Sequence, residues 1–259
     1  MPDVKELSMV PRRVLNVFYV LDTSGSMSGA PIATVNNAMI ETLDVLRRIA
    51  KNNADALIKV AVLTFSSGCK WMSSYPEELD DFIYEDLIAG GLTDFGVALR
   101  ELDSKLSKNA FMNSATGNYL PVIIFMTDGF ATDSYQEALD NISKNRWFSH
   151  AMKIGFAIGE NPDKNMISKV VGSGEAVIQT NDLDLFARML KFVSITASMV
   201  ASKSRTTRTL VSGSDIIKEA IDVNFLSSQN VVGNSVVLPS PDTDISELND
   251  TWGSDEEWK

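Results

Sequence analysis

The chain has 259 residues, 44% of them hydrophobic and 22% charged, enough for one sizeable domain core plus an extension without disulfide or metal staples. Its formal charge of −11 argues against nucleic acid or an anionic membrane as the main partner and suits either a basic protein partner or plain solubility. A single cysteine, Cys69, rules out an internal disulfide and favours a reducing compartment; with no signal-peptide core at the start and no apolar run near ~18 residues, a cytoplasmic protein is expected.

In chain order, the apolar run 17–21 reads as a strand buried on both faces, the kind found in parallel sheets. It stops at Asp22, and the turn that follows, DTSGSMSG, leads into a helix with Pro31 at its start and Ile32, Val35, Met39, Leu43 and Leu46 at helical spacing. A second strand is expected at 58–65 and a third at 69–75. The turn Ser66-Ser67-Gly68 is too short for a crossover, so those two should be antiparallel. Thr93 opens a helix striped by Phe95, Leu99, Leu102 and Leu106, and 120–126 is another buried strand, ending at Thr127-Asp128-Gly129.

Asp133 reads as the cap of the next helix, with Gln136 completing a capping box, and Asp94 as a helix N-cap of the same kind. Strands follow at 152–159 and 176–179, with a short helix at 164–171 between them. Asn181 or Asp182 caps a long last helix with Phe186, Met189, Leu190, Val193, Ala197 and Val200 on its buried face. This succession of βα units predicts an α/β fold, an open, mostly parallel, doubly wound sheet with helices on both sides.

In such a sheet ligands bind beyond the carboxyl ends of the strands, where the strand order reverses direction. The first and fourth strands flank that point, and they end at Asp22 and Asp128. Asp22, Ser24 and Ser26 alternate through a glycine-containing turn. Carboxylate and hydroxyl oxygens without nearby His or Cys suit a hard cation such as Mg²⁺ and not zinc.

With Thr93 in GGLTDFG and Asp128 in FMTDG, the turn Asp22-Thr23-Ser24-Gly25-Ser26 resembles the metal-ion-dependent adhesion site of the von Willebrand factor A family, over residues 13–205. The resemblance implies a three-layer Rossmann-like sheet of six strands in order 3-2-1-4-5-6, with the 69–75 strand antiparallel at one edge. It implies direct ligation by the Ser24, Ser26 and Thr93 hydroxyls, and Asp22 and Asp128 acting largely through coordinated waters. The ion would be Mg²⁺, with Mn²⁺ or Ca²⁺ as in vitro substitutes, and a partner carboxylate would complete its octahedron. The forms LDTSGSM, GGLTDFGVAL and FMTDG further resemble bacterial tellurite-resistance-type members, which implies a stress-resistance or phage-defence setting with a kinase and a phosphatase as partners.

The competing class is a haloacid-dehalogenase-like phosphotransferase, which also has Asp after its first strand and Mg²⁺ at the same crevice. It needs a second acid two residues on, where Ser24 stands, and a hydroxyl does not replace a carboxyl in proton transfer at neutral pH. A non-enzymatic interaction module is therefore expected. His150, the only histidine, reads as a solvated helix C-cap, and the methionines as core filling. The stretch 155–159 lies within a strand and is not a dinucleotide-binding loop.

The domain plan is an N-terminal extension at 1–12, the main domain at 13–205, a linker with one short element at 206–238, and an acidic tail at 239–259. Thr206, Thr207 and Thr209 beside Arg205 and Arg208 form a candidate phosphorylation segment. The tail carries seven acids against one base, a composition expected to stay disordered, read either as a solubilising tail or, because Trp252 and Trp258 are costly to leave in water, as a docking peptide.

Overall fold

Arg13–Asp22 forms β1, buried along its whole length after the first residue, which is why its sequence reads as a continuous apolar run. The computed structural model describes residues 11–202, apart from 55, 160, 161 and 173–175. Most of the expected N-terminal extension, the linker at 206–238 with its short element, and the acidic tail lie outside the described residues.

A tight turn at residues 25–27 joins β1 to α1 (Ala30–Asn52), which begins behind Gly29 at φ +86° with Pro31 in its first turn. Then come β2 (Ala56–Ser66), β3 (Gly68–Trp71) and a two-residue strand, β4 (Glu77–Glu78). After α2 (Phe95–Lys105) the chain continues through β5 (Val122–Thr127), α3 (Gln136–Ile142), α4 (Arg146–Ser149), β6 (Met152–Ile158), α5 (Lys164–Val171), β7 (Ala176–Thr180) and α6 (Leu183–Ser202).

The sheet runs β3-β2-β1-β5-β6-β7, the expected order. β1 pairs with β2 and β5 in parallel, as do β5 with β6 and β6 with β7, while β3 is antiparallel to β2. The strand that the sequence did not announce is β4, which pairs Glu77 and Glu78 antiparallel to Val60 and Lys59 on the outer side of β2. Two glutamates, one half-buried and one exposed, carry no alternating apolar signal, so only the tertiary pairing defines this strand.

Side chains of β1 alternate between two cores. Leu15, Val17, Tyr19 and Leu21 join α1 and α6 residues such as Met39, Leu43, Phe186 and Leu190. Phe18 and Val20 face the other way, against Phe95, Leu99, Leu102, Ile142 and Ile167 from α2, α3 and α5. Gly155 in β6 is what lets α5 sit so close: a Cβ there would meet Ile167 Cγ2 at 2.2 Å. The side chains of Val193, Ala197 and Val200 in α6 lie outside the described residues.

Asp182 caps α6, accepting from the Asp184 and Leu185 backbone N–H groups at 3.0 Å each, and His150 is the exposed C-cap of α4, its Nδ1 3.0 Å from the Arg146 carbonyl. Asp133, expected to cap the helix that follows it, instead caps α2: Gly96 N–H donates to Oδ1 at 2.9 Å and Val97 N–H to Oδ2 at 3.0 Å. α3 starts later, at Gln136, with no side-chain cap. The cause is Gly96, whose missing Cβ leaves room for residues 133–135; a Cβ would lie 2.8 Å from Asp133 Oδ2 and from Tyr135 Cα. Asp94 holds the N-cap position of α2 but makes no cap bond; its Oδ2 accepts the Gly68 N–H at 2.9 Å and ties the β2–β3 turn to the start of α2.

Candidate metal centre

The ends of β1 and β5 are adjacent, with Leu21 opposite Met126, so Asp22 and Asp128 are delivered to one crevice by strand register alone. Asp22 and Ser24 are buried, Ser26 is exposed and Asp128 is half-buried, so the polar groups run from the sheet end out to solvent.

Hydrogen bonds fix most of these oxygens. Asp22 Oδ1 accepts the Ser24 backbone N–H at 2.7 Å, and Asp22 Oδ2 accepts the Thr127 hydroxyl at 2.5 Å. The Ser26 hydroxyl donates to Asp128 Oδ1 at 2.7 Å and lies 3.0 Å from the Ser24 hydroxyl. With the Ser26 proton on Asp128, Ser26 is an acceptor for Ser24, whose side chain also hydrogen-bonds the Asp22 carboxyl. The result is a hydroxyl chain through Ser24 and Ser26 to Asp128 that joins the first loop to the third.

Thr93 brings in the second loop. Its N–H donates to the Thr132 hydroxyl at 2.9 Å and its carbonyl accepts the Thr132 N–H at 2.9 Å, which fixes the second loop against the third. A Cβ built on Gly129 would lie 3.6 Å from Ser26 Oγ and 4.0 Å from Thr93 Oγ1, so hydroxyls from two loops flank one point above β5. The first and second loops are laced by backbone: Gly25 N–H donates to the Gly91 carbonyl at 3.0 Å and Gly90 N–H to the Thr23 carbonyl at 2.8 Å. Gly91 sits at φ +87° with its Cβ direction filled by Ser67 Oγ at 2.7 Å, a position closed to other residues.

All five residues singled out from the sequence, Asp22, Ser24, Ser26, Thr93 and Asp128, therefore stand around one crevice. Thr127 escaped the sequence reading: its hydroxyl holds Asp22 and accepts the Gly129 N–H at 3.2 Å. Its signal was its place as the last residue of a buried strand, directly before Asp128.

The electrostatics of the crevice are unbalanced. Burial raises the Asp22 carboxyl above its ordinary value, against the lowering effect of hydrogen bonds from Ser24 and Thr127, and the Asp128 charge raises it further. Burial also raises Asp128, against the Ser26 hydrogen bond. Among the described residues, neither carboxylate forms an ion pair with a lysine or arginine. Two neighbouring carboxylates lacking a basic partner, framed by hydroxyl lone pairs, fit a hard divalent cation. Among the described residues no three His, Cys, Asp or Glu side chains cluster, so a transition-metal cage of that kind is not formed.

Comparison with known proteins agrees with the fold. The family model for the von Willebrand factor type A domain matches residues 16–191, and the chain belongs to that family. Comparison with curated proteins returns no match. Among solved structures, a von Willebrand factor type A protein from Catenulispora acidiphila superposes with TM-score 0.54 at 15% identity, covering 71% of this chain and 43% of that one. The ArnB paralog VWA2 from Sulfolobus acidocaldarius gives 0.50 at 16%, covering 69% and 44%. The PilB minor pilin from Streptococcus sanguinis gives 0.53 at 15%, covering 74% and 62%. The chain thus spans less than half the length of the first two, and at these identities the likeness is one of fold. Among the described residues no helix is long and apolar enough to cross a membrane.

Proposed function

We propose that the crevice holds a divalent cation of the magnesium type and that the domain is a metal-dependent protein–protein interaction module, with no catalytic role. The hydroxyls of Ser24, Ser26 and Thr93 would ligate directly, and Asp22 and Asp128 would act largely through coordinated water, as Mg²⁺ retains several waters. The observation that carries this reading is the buried Asp22 and half-buried Asp128 carboxylates, with no basic partner among the described residues, beside the paired Ser24 and Ser26 hydroxyls, the second of which donates to Asp128. That orientation leaves serine lone pairs for a cation.

The chain's own residues do the positioning. Thr127 and the Ser24 N–H hold the Asp22 carboxylate, Asp128 orients Ser26, and Thr132 holds Thr93. A cation ligated mainly by neutral hydroxyls keeps most of its positive charge, and the ligand it attracts is a carboxylate from a partner. A phosphotransferase reading has less support, because Ser24, a hydroxyl, occupies the position where that chemistry needs a second carboxyl.

The finer reading places the chain in the cytoplasm, in a bacterial tellurite-resistance-type system with a kinase and a phosphatase. It rests on the motif forms and the single cysteine. The test is affinity capture from the native host with Mg²⁺ or with chelator. Partners that appear only with Mg²⁺ support the module; an unchanged set of partners counts against it.

A further inference from the structure

The loops that carry the crevice also carry bare apolar side chains. Ile88 is 88% exposed, Leu92 57% and Phe130 62%. Leu92 directly precedes Thr93, Phe130 lies two residues beyond Asp128, and Ile88 lies two residues before Gly90, whose N–H is bonded to the Thr23 carbonyl. These are half of the six large apolar side chains exposed among the described residues, the others being Ile40, Tyr75 and Ile83. Scattered apolar residues on a surface need no explanation, but three on the loops of one polar crevice mark a contact surface. A carboxylate alone would not use them. The matching ligand is an acidic segment with large apolar side chains beside its acids.

This chain contains such a segment. Residues 250–258, DTWGSDEEW, place Asp250, Asp255, Glu256 and Glu257 beside Trp252 and Trp258. Reach is sufficient: α6 ends at Ser202, fifty residues before Trp252, and the path from one end of α6 to the other is about 30 Å. Twenty residues of extended chain already span roughly 66 Å. Its sequence, large apolar anchors beside acids, is of the kind that surface grooves recognise.

We propose that the segment around Trp252–Trp258 docks on the rim formed by Ile88, Leu92 and Phe130, seating an indole there and a carboxylate on the cation in the crevice. The domain is then self-capped, and an external acidic partner must displace the segment. This rests on the cation-binding reading above.

The test uses the full chain labelled with 5-fluorotryptophan, whose four ¹⁹F resonances (Trp71, Trp147, Trp252, Trp258) are assigned by single Trp→Phe variants. Adding Mg²⁺ to chelator-treated protein should shift the Trp252 or Trp258 resonance. The shift should vanish in Asp22→Asn and in Leu92→Ser/Phe130→Ser, a double variant at exposed positions that leaves the core untouched. A shift that persists on dilution means docking within one molecule; one that disappears means docking between molecules. Calorimetric Mg²⁺ binding to wild type separates the failures. Binding that requires Asp22, with no movement of either tail resonance, overturns the docking and spares the module. No binding that requires Asp22 overturns both.

Discussion

Ser26 and Asp128, 102 residues apart, are joined by a hydrogen bond of 2.7 Å that closes the crevice between the ends of β1 and β5. Each orients the other, so their contributions to cation affinity should not add. Ser26→Ala and Asp128→Ala, made singly and together and titrated with Mg²⁺ by calorimetry, should show a coupling of about 0.5–3 kcal/mol, the range for contacting residues. Strict additivity would mean that the two side chains do not act as a unit.

Asp22 makes stability depend on pH in a specific direction. Burial raises its carboxyl above the ordinary 3.8, so the folded, metal-free protein holds that proton more tightly than the unfolded chain does. The sign follows: this contribution is fully present below the ordinary pKa and is lost as pH rises through the raised folded value. In chelator, Asp22→Asn should therefore gain on wild type in melting temperature from about pH 4 towards neutrality, since it removes a group that titrates near that window. A difference that stays constant across that range contradicts the role given to Asp22.

Gly96 and Asp133 fix the start of α2 over the crevice. Gly96→Ala forces a methyl against Tyr135 Cα and the Ser134 carbonyl, at 2.8 and 3.0 Å, where backbone has little room to yield. Overpacking of this kind costs about 1–3 kcal/mol. Asp133→Ala removes the cap on the Gly96 and Val97 N–H groups and should cost about 0.5–2 kcal/mol. Urea unfolding reads both; a neutral Gly96→Ala would show that residues 133–135 move freely.

Gly155 offers an independent check on the second core. Gly155→Ala meets Ile167 Cγ2 and should destabilise by about 1–3 kcal/mol, while Ile167→Ala alone leaves a cavity worth about 2–5 kcal/mol. The double variant should cost less than the sum, because the new methyl fills part of the space vacated. Equal or greater cost in the double variant would contradict the packing of α5 on β6.

Much of the fold was legible because its signals are local. The unbroken apolar runs of β1 and β5 report burial on both faces, and both lead to acids at the switch in strand order, so the crevice and the five oxygen-bearing side chains around it could be read from the chain. What escaped depends on distant partners. Asp133 and Gln136 have capping-box spacing, yet Asp133 serves α2, because Gly96, 37 positions earlier, leaves a space that only the fold reveals. Thr127 looked like the last residue of a strand, and its bond to Asp22 exists only once β1 and β5 pair. β4, two glutamates long, has no pattern to read.

The most direct measurement is thermal unfolding of wild type and Asp128→Ala, each in Mg²⁺ and in chelator. Asp128 is half-buried, so its loss disturbs packing little. An ion that binds only the folded state adds about 2.7 kcal/mol when present at 100 times its dissociation constant. Wild type should melt higher with Mg²⁺ than with chelator, and Asp128→Ala should show little or no difference. Equal shifts in the two proteins, or none in wild type, would contradict a cation site built on Asp22, Ser24, Ser26, Thr93 and Asp128.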